Sequence, residues 1–594
     1  MKKYFAKKEN LYLVLALVAG IVMVFLNPPF AGVPDEHIHF LRVSHMAQGN
    51  VLCSDGQIKK ASLDLPDEIK PIRMNGSNDE KISLGKIKKA LFEKDTDEAV
   101  QFGGVNCGAN PLGYFPQAAG MMMADSLSLP ALWGFYFARL FNALVAIFIT
   151  YMAIKLLPFG KIIFLLIGLL PMTMQQYASL SYDPLHISLV FLFSAYVLNI
   201  SVRQGKISKK EMILVALSAI FAANAKWGFF PIMLLLFVLP KDKFLSNKKY
   251  WSYIVSVIFV GAAVFLLSKI GSVSSDGQRD GIYPLEQILF VLKNPFNFLL
   301  VVVNTLYIDA NSFLESFLYK PGWLNFGLAP MFYLFTFLGI VLIIRSEKEE
   351  VGLTKKQRFI IGLTALLSFL FVFFSLYVFW TKVGGEKVHG VQGRYLISIF
   401  PLLVLAFYKS GFNFRFDWIK KKMEWVVGLF VIIVFISAFF SIWYFYYDKN
   451  QVIGKYIYDP YVTKEEIKNA EAKNVQGVFT QTFKVKKDDF LGVKFYVKKN
   501  IYNGKAIFFL KDAQCGEILK RKELTWDQDE FSSIELKFGS VSGSKNNVFC
   551  LQGELMPDTE IMFKTTNKRY SDGSLSYDSA QQEEDLIFDL MYEN

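Results

Sequence analysis

Val33-Pro34-Asp35-Glu36-His37-Ile38-His39-Phe40 follows almost directly on the apolar run 11–30 and brings two adjacent acids and two histidines to the end of a first membrane span. Ionisable groups at a membrane surface are costly to hold there and are therefore functional candidates. The same residues also suit the start of a helix, with Asp35 as its N-cap and both acids near the positive end of the helix dipole. Function and capping both stay open for this stretch.

The composition indicates a polytopic membrane protein. Of 594 residues, 53% are hydrophobic and 16% aromatic, and the mean hydropathy is +0.32, which is untypical of a soluble protein. The net charge is +12, but the Lys and Arg residues cluster in short segments between apolar runs. That distribution is typical of cytoplasmic loops and not of a nucleic-acid-binding face. We therefore expect the lipid bilayer as a partner and no nucleic acid.

The apolar runs predict an all-α membrane domain over 1–447 with eleven transmembrane helices, its N-terminus in the cytoplasm and its C-terminus outside. The predicted spans are 11–30, 130–157, 160–174, 184–200, 211–223, 228–239, 250–267, 327–344, 359–380, 396–408 and 425–447. A large extracytoplasmic loop covers 32–110. Two further apolar pieces, 285–292 and 296–307, are interpreted as interfacial helices, although the second is also compatible with a span, which would change the count.

From about residue 449 the composition becomes that of a soluble domain. The stretches 478–485, 493–497 and 534–538 alternate, or nearly alternate, between apolar and polar residues, with Asn-Gly and Ser-Gly turn signals between them. This pattern predicts an extracytoplasmic β-sandwich over 448–594. Its aromatic side chains form either the core or a sugar-stacking face.

The four cysteines lie in the two polar segments that this topology places outside the cell. Cys53 and Cys107 belong to the first segment, and Cys515 and Cys550 to the second. Disulfides persist in extracytoplasmic compartments. We therefore predict one bridge between Cys53 and Cys107 and another between Cys515 and Cys550, the alternative being four unpaired thiols.

Charged residues gather at the predicted outer face. Helical spacing over 36–48 puts Asp35, His39, Arg42 and Met46 on one side of a helix. The further outer candidates are Asp183, His186, Lys226, Lys387, His389 and Arg394.

Arg139 lies inside the second predicted span, where a cation needs a partner such as Asp35, Glu36 or a ligand phosphate. A structural ion pair would equally account for Arg139. Lys226 and Arg394 could be interfacial cations whose stems lie along apolar surface, and His389 could be an ordinary loop residue.

The chemistry open to this cluster is limited by what the chain lacks. It contains no GxxxxGK[ST], HExxH, GxSxG or paired CxxC motif, so nucleotide hydrolysis, zinc proteolysis and serine hydrolysis lack their residues. An acid that deprotonates a hydroxyl, together with cations that stabilise a departing phosphate, is what glycosyl transfer from a lipid phosphate requires. Because nucleotide-sugars are not available outside the cell, the donor would be a polyprenyl-phosphate sugar.

Several short motifs resemble a bacterial family of integral membrane proteins of unknown function, which is similar in layout to the C-type, multi-spanning glycosyltransferases. The motifs are Pro34-Asp35-Glu36-x-x-His39, Asn110-Pro111-Leu112-x-Tyr114, Ser181-Tyr182-Asp183, Lys226 with Trp227, Gly322-Trp323-Leu324 and Gln392-Gly393-Arg394-Tyr395. The resemblance covers about 11–447. It implies an inverting transfer of a sugar from a polyprenyl-phosphate donor to an extracytoplasmic glycan or glycopolymer of the cell envelope.

The resemblance also implies roles for single residues. Asp35 would be the general base on the acceptor hydroxyl, with Glu36 as the competing base or as a metal ligand. Arg394, Lys226 and Arg139 would hold the lipid phosphate, and His39 would orient the acids. With Arg42, Asp183 and His389 added from the outer-face cluster, these are the predicted donor-phosphate and substrate-binding residues. A divalent cation, Mg²⁺ or Mn²⁺, is compatible with such an enzyme, but Asp35-Glu36 is not the spaced Asp-x-Asp of the metal-using members, so no cofactor is assigned.

Two other function classes remain as alternatives. A transporter or flippase of lipid-linked saccharides would carry charges strung through the bilayer and often has related halves, whereas here the charges gather at one face and the halves do not repeat. A non-catalytic glycan-binding membrane protein would not need Asp35, Arg139 or Arg394. The expected location is the cytoplasmic membrane of a bacterium, with the oligomeric state left open.

Overall fold

A computed structural model describes most of the chain. The described residues are 7–51, 56–69, 82, 84–92, 98–102, 109–226, 228–267, 281–324, 326–346, 352–407, 422–447, 456–460, 470–475, 477–485, 490–541, 544–556, 561–566, 575–577, 580–581 and 585–593. The chain divides into two compact units, Met1–Asp448 and Lys449–Asn594.

The first unit is predominantly helical. Its α-helices are α1 (Lys8–Leu26), α2 (Glu36–Ala47), α3 (Lys60–Ile69), α4 (Leu84–Phe92), α5 (Phe115–Ser126), α6 (Ala131–Leu156), α7 (Lys161–Gly168), α8 (Pro171–Tyr177), α9 (Asp183–Val202), α10 (Lys209–Asn224), α11 (Asn247–Leu267), α12 (Pro284–Lys293), α13 (Pro295–Ile308), α14 (Ala310–Leu318), α15 (Pro330–Ser346), α16 (Lys355–Trp380), α17 (Phe400–Phe407) and α18 (Met423–Ile442). Short 3₁₀ helices cover Pro111–Tyr114, Phe230–Val238, Lys241–Lys243 and Gly393–Leu396, and a π-helical turn covers Trp443–Tyr447.

Local sequence explains where two of the longer helices begin. Ser208 accepts a hydrogen bond from the backbone of Glu211, whose carboxylate accepts in return from the backbone of Ser208, a capping box that starts α10. Thr354 and Gln357 form the same arrangement at the start of α16. Each box satisfies backbone N–H groups that a helix N-terminus would otherwise leave without partners.

Six helices in the described part of the chain are long and apolar enough to cross a membrane. They are Lys8–Leu26, Ala131–Leu156, Asp183–Val202, Asn247–Leu267, Lys355–Trp380 and Trp425–Tyr447. The pair α12 and α13 would add a seventh if counted as one span, but the two helices meet at an angle of 107°. The protein is therefore a mostly helical membrane protein, with six or seven candidate spans among its described residues.

The expected eleven spans are not confirmed, and the reason lies in helix-breaking residues. The stretch 160–174 forms two short helices, α7 and α8, the second beginning at Pro171. The stretch 228–239 forms a 3₁₀ helix that starts beside Pro231. The stretch 396–408 contains only the eight-residue helix α17 in its described part, and α10 and α15 have 16 and 17 residues. These segments are apolar but short.

The segment between α1 and α5 has a structure of its own. Strands β1 (Gly56–Lys59) and β2 (Ala99–Phe102) pair antiparallel. Lys59 on β1 makes an ion pair of 2.8 Å with Asp125 of α5, and the indole of Trp133 donates to the carbonyl of Leu91 at 3.1 Å. These contacts attach the segment to the helices. The predicted bridge between Cys53 and Cys107 lies outside the described residues.

The second unit is β-rich. Its strands are β3 (Tyr456–Pro460), β4 (Ala472–Val475), β5 (Val478–Lys484), β6 (Phe490–Lys511), β7 (Ile518–Val541), β8 (Val548–Leu555), β9 (Ile561–Thr566), β10 (Leu575–Tyr577), β11 (Ala580–Gln581), β12 (Asp585–Leu586) and β13 (Phe588–Glu593). The three stretches predicted as strands fall on β5, β6 and β7. The long strand β6 pairs antiparallel with β7 along its length, with β13 near its start and with β8 near its end.

Phenylalanines form the core of this unit. Fully or almost fully buried Phe479, Phe483, Phe495 and Phe563 lie in one apolar cluster with neighbours from the other strands. Of the two roles predicted for the aromatic residues, these four have the core role. Cys515 and Cys550 form a disulfide with 5.2 Å between their Cα atoms. The β-sandwich arrangement itself stays a prediction.

Candidate functional site

Asp35 occupies the N-cap position of α2 without acting as a cap. Its backbone has φ of 58° and ψ of 12°, the left-handed region, and its side chain makes no capping hydrogen bond. Among the described residues its carboxylate has no ion-pair partner, and the residue is partly exposed. A non-glycine residue held in this conformation costs about 1–3 kcal/mol and persists only where its surroundings enforce it. The carboxylate of Asp35 is thus held at a cost and left available.

Glu36 has the opposite environment. It is 0% exposed and forms a fully buried ion pair with Arg139 of α6. The guanidinium also donates to the carbonyls of Val24 at 3.0 Å, Asn27 at 2.7 Å and Pro28 at 3.3 Å. An arginine has five N–H donors, and with two bonds to Glu36 all five are used. Arg139 therefore has no N–H group left to bind a ligand phosphate.

His39, one turn into α2, contacts two tyrosines. Its Nδ1 lies 2.8 Å from the hydroxyl of Tyr114, and its ring meets the ring of Tyr182 edge-on with centroids 5.4 Å apart. Burial lowers the pKa of His39 to about 4, although the nearby charges of Asp35 and Asp183 act to raise it. His39 is therefore a neutral imidazole at neutral pH.

Two cations converge on one acid at the start of α9. The ammonium of Lys226 lies 2.5 Å from Oδ1 of Asp183, and Nη1 of Arg394 lies 3.8 Å from Oδ2 of the same carboxylate. All three side chains are nearly buried. The ring of Tyr395 lies 4.2 Å from the ammonium of Lys226, and Gln176 accepts a hydrogen bond of 2.8 Å from Arg394.

Electrostatic coupling connects Asp35 with this group. Burial alone would lower the pKa of Arg394, but the phenolate that Tyr395 forms at high pH and the carboxylates of Asp183 and Asp35 raise that pKa above its ordinary value. Burial lowers the pKa of Lys226; Asp183 opposes this effect and Arg394 adds to it. We call Asp35, His39, Asp183, Lys226 and Arg394 the polar cluster.

Four of the predicted site residues lie outside the polar cluster, namely Glu36, Arg42, Arg139 and His389. Arg139 is taken up by Glu36, as described above. Arg42 is buried, but its guanidinium donates to the carbonyls of Asn50 at 3.1 Å and Val51 at 2.6 Å, so it closes the end of its own helix. Helical spacing placed Arg42 near His39 correctly, but it could not show that the chain turns back onto it.

His389 and its neighbours form part of a separate loop. The side chain of His389 is exposed, and its backbone N–H donates to Thr381 at 3.0 Å. Lys387 makes an ion pair of 2.8 Å with Asp309.

His186 is buried, with its ring nitrogens 3.0 Å from the carbonyl of Ala222 and 3.1 Å from the hydroxyl of Ser398.

Several contact residues were not singled out by sequence reasoning as site residues. Tyr114, Tyr182, Tyr395 and Gln176 all touch members of the polar cluster. Three of them stand inside the short motifs quoted above, and Gln176 stands in the polar turn before Asp183. Their position within those motifs was the available signal. Among the described residues, no three His, Cys, Asp or Glu side chains are grouped so as to hold a metal ion.

The chain belongs to a family described as Predicted membrane protein (DUF2142), which matches residues 17–406. The match covers the helical unit from within α1 to α17 and therefore includes every member of the polar cluster. No curated protein matches the chain.

Proposed function

We propose that this member of the DUF2142 family is an inverting glycosyltransferase of the C type, which moves a sugar from a polyprenyl-phosphate donor to an extracytoplasmic glycan of a bacterial cell envelope. One observation carries the proposal. The available carboxylate of Asp35 lies within electrostatic range of a buried site where Lys226 and Arg394 share a single acid. A base beside an anion-binding site is the arrangement that this reaction needs.

Asp35 is the general base of the proposed mechanism. Its carboxylate removes the proton from an acceptor hydroxyl, and the resulting oxygen attacks the anomeric carbon of the donor sugar. The new C–O bond forms on the face opposite the phosphate, so the configuration at that carbon inverts. Glu36 is the weaker assignment because its carboxylate is already engaged by Arg139.

Lys226 and Arg394 hold the donor phosphate. As the bond between the anomeric carbon and the phosphate oxygen breaks, negative charge grows on the polyprenyl phosphate, and two nearly buried cations stabilise it strongly because little water screens them. Asp183 keeps both cations in place in the absence of donor. His39, neutral and held by Tyr114, keeps Tyr182 and the start of α2 in position.

The finer features of the fold belong to the same proposal. The N-terminus lies in the cytoplasm, and the polar cluster and the β-rich unit lie outside, the latter as a β-sandwich that contacts the acceptor glycan. In this proposal the broken apolar segments 160–174, 228–239 and 396–408 also cross the membrane, which brings the number of spans closer to eleven. A divalent cation, Mg²⁺ or Mn²⁺, is compatible with the site but has no assigned ligands.

The test is transfer of labelled sugar from polyprenyl-phosphate donors to cell-envelope acceptors by the purified protein in detergent. We expect Asp35→Asn to lose transfer by a factor of about 10²–10⁴ without loss of thermal stability, and Glu36→Gln to lose stability first. Asp309→Asn is the matched control, because it neutralises a carboxylate outside the polar cluster. Full transfer by Asp35→Asn would refute the assignment of the base. The protein reconstituted in lipid vesicles tests the alternative, since movement of intact lipid-linked saccharide across the bilayer without bond cleavage would favour a flippase.

A further inference from the structure

Trp323 and His37 form an aromatic pair beside Asp35 that the proposed mechanism does not use. Their rings are stacked, with centroids 5.6 Å apart and planes inclined by 25°. Both residues are partly exposed, whereas Glu36 and Gly322, next to them in the chain, are buried. His37 is two residues beyond Asp35. An indole that keeps part of its surface accessible is thus stacked on a ring two residues along the chain from the proposed base.

The backbone on both sides of this pair is strained. Six non-glycine residues in the described part of the chain have positive φ, and three of them are Phe30, Asp35 and Leu324. Gly322, on the other side of Trp323, also has a positive φ of 71°. Such strain collects at functional sites because the surrounding structure must support it. Here it is concentrated in the two loops that bring Trp323 and Asp35 together.

The surrounding packing holds these loops rigidly. The indole N–H of Trp323 reaches the carbonyl of Phe30 at 3.5 Å, and Phe30 is fully buried against Phe135 with centroids 4.7 Å apart. Just beyond Trp323, Phe326 stacks on Phe445 at 4.5 Å. The position of Trp323 is therefore defined on both sides, as a binding residue requires.

Gln175 and Tyr446 hold the loop that leads to Asp35. Gln175 donates a hydrogen bond to the backbone carbonyl of Gly32 at 2.5 Å. The hydroxyl of Tyr446 donates to the backbone carbonyl of Ala31 at 3.0 Å. The base and the indole thus belong to one supported frame.

We propose that Trp323, braced by His37, is the platform on which a pyranose ring of the acceptor stacks while its hydroxyl faces Asp35. One face of a pyranose presents several C–H groups, which suit the electron-rich face of an indole. His37 acts as a positioning residue that fixes the angle of the ring. The inference rests on the proposed function and deepens it, because it requires that the acceptor present a pyranose ring beside the hydroxyl that reacts.

Calorimetric titration of the full chain in detergent tests this platform. The probes are maltotriose and N,N′,N″-triacetylchitotriose, with glycerol 3-phosphate as the ring-free comparison, and the Asp35→Asn variant is used to prevent turnover. We expect at least one trisaccharide to bind. In that background, Trp323→Leu should weaken binding at least tenfold and Trp323→Phe less than threefold. Trp133→Leu is the control for loss of an indole elsewhere.

His37 supplies a second pair of variants. His37→Ala should weaken trisaccharide binding several-fold, and His37→Phe, which keeps a stacking ring, should restore it. Binding by none of the probes, or equal affinity in Trp323→Leu and its parent, would overturn the platform. Trp323-dependent sugar binding in a protein that transfers no sugar from any polyprenyl donor would refute the transferase and leave the platform standing.

Discussion

The helical unit contains two groups of charged residues that differ in their arrangement. One includes Glu36 and the other includes its neighbour Asp35. Glu36 and Arg139 pair one acid with one base, and the remaining donors of the arginine are satisfied by backbone carbonyls. In the polar cluster, one carboxylate, that of Asp183, faces both Lys226 and Arg394, and the carboxylate of Asp35 has no ion-pair partner among the described residues.

This difference separates a pair of charges with a structural role from the group of charges to which we assign the proposed function. A buried ion pair is tolerated when geometry and hydrogen bonds compensate for lost hydration, and the Glu36–Arg139 pair meets that condition internally. In the polar cluster, two cations share one acid and a second acid is left available. An added anion would therefore find favourable interactions with the cations, and an added hydroxyl with the available acid. The two acids of the Asp35-Glu36 dipeptide therefore have different roles, and variants of each group should fail in different ways.

Breaking the Glu36–Arg139 pair should have the largest effect on stability. Arg139→Met leaves the carboxylate of Glu36 buried without a partner, which should cost about 3–5 kcal/mol. The measurement is thermal unfolding in detergent followed by size-exclusion chromatography. The double variant Glu36→Leu with Arg139→Met removes both charges and should recover most of the loss. A single variant as stable as the wild type would contradict the structural role of the pair.

Part of this comparison was accessible from the sequence. The helix over 36–47 follows from its residue pattern, and a need for a partner follows from a cation inside an apolar run. The choice of Glu36 over Asp35 as that partner does not, since Arg139 is 103 residues away along the chain. The choice depends on the different directions in which two neighbouring side chains, those of Asp35 and Glu36, leave the backbone. The left-handed backbone conformation of Asp35 sets these directions.

The span count shows a second limit of sequence reasoning. Hydropathy identified the apolar segments, but it does not show where a proline or a 3₁₀ turn divides them. Pro171 and Pro231 begin new short helices inside or next to predicted spans. In contrast, the three strands predicted from alternation lie where expected, because β5, β6 and β7 bury one face against the phenylalanine core.

The next largest effect on stability should come from the titration of His39. Its pKa is about 4 in the folded protein and about 6.5 when unfolded, so the unfolded chain binds the extra proton first as the pH falls. The stabilising contribution is complete above about pH 6.5, is lost progressively down to about pH 4, and amounts to about 3 kcal/mol at most. Thermal stability across this range, compared with that of His39→Gln, isolates the effect, since carboxylates titrate in both proteins. Parallel curves would exclude it.

Arg394→Gln should have a smaller effect on stability than Arg139→Met and a larger effect on the donor. The variant leaves Asp183 paired with Lys226, so we expect a loss of about 1.5–3 kcal/mol, as for a hydrogen bond to a charged group. The KM for the polyprenyl-phosphate donor should rise at least tenfold, because a phosphate ligand is gone. Arg394→Lys, which keeps the charge, should give an intermediate KM. A loss of stability as large as that of Arg139→Met would remove the distinction between the two groups.

The ion pair between Lys387 and Asp309 should make the smallest contribution to stability among the charged groups compared. Its atoms are 2.8 Å apart, closer than Arg394 and Asp183, but its side chains are 33% and 30% exposed. Exposed pairs contribute about 0–1 kcal/mol because water and salt screen them. A double-mutant cycle with Lys387→Ala and Asp309→Ala, measured at low and high salt, should therefore give a small coupling energy that shrinks with salt. A coupling that is large and independent of salt would mean that burial does not separate the charged groups of this protein, and that short distance alone predicts their energies.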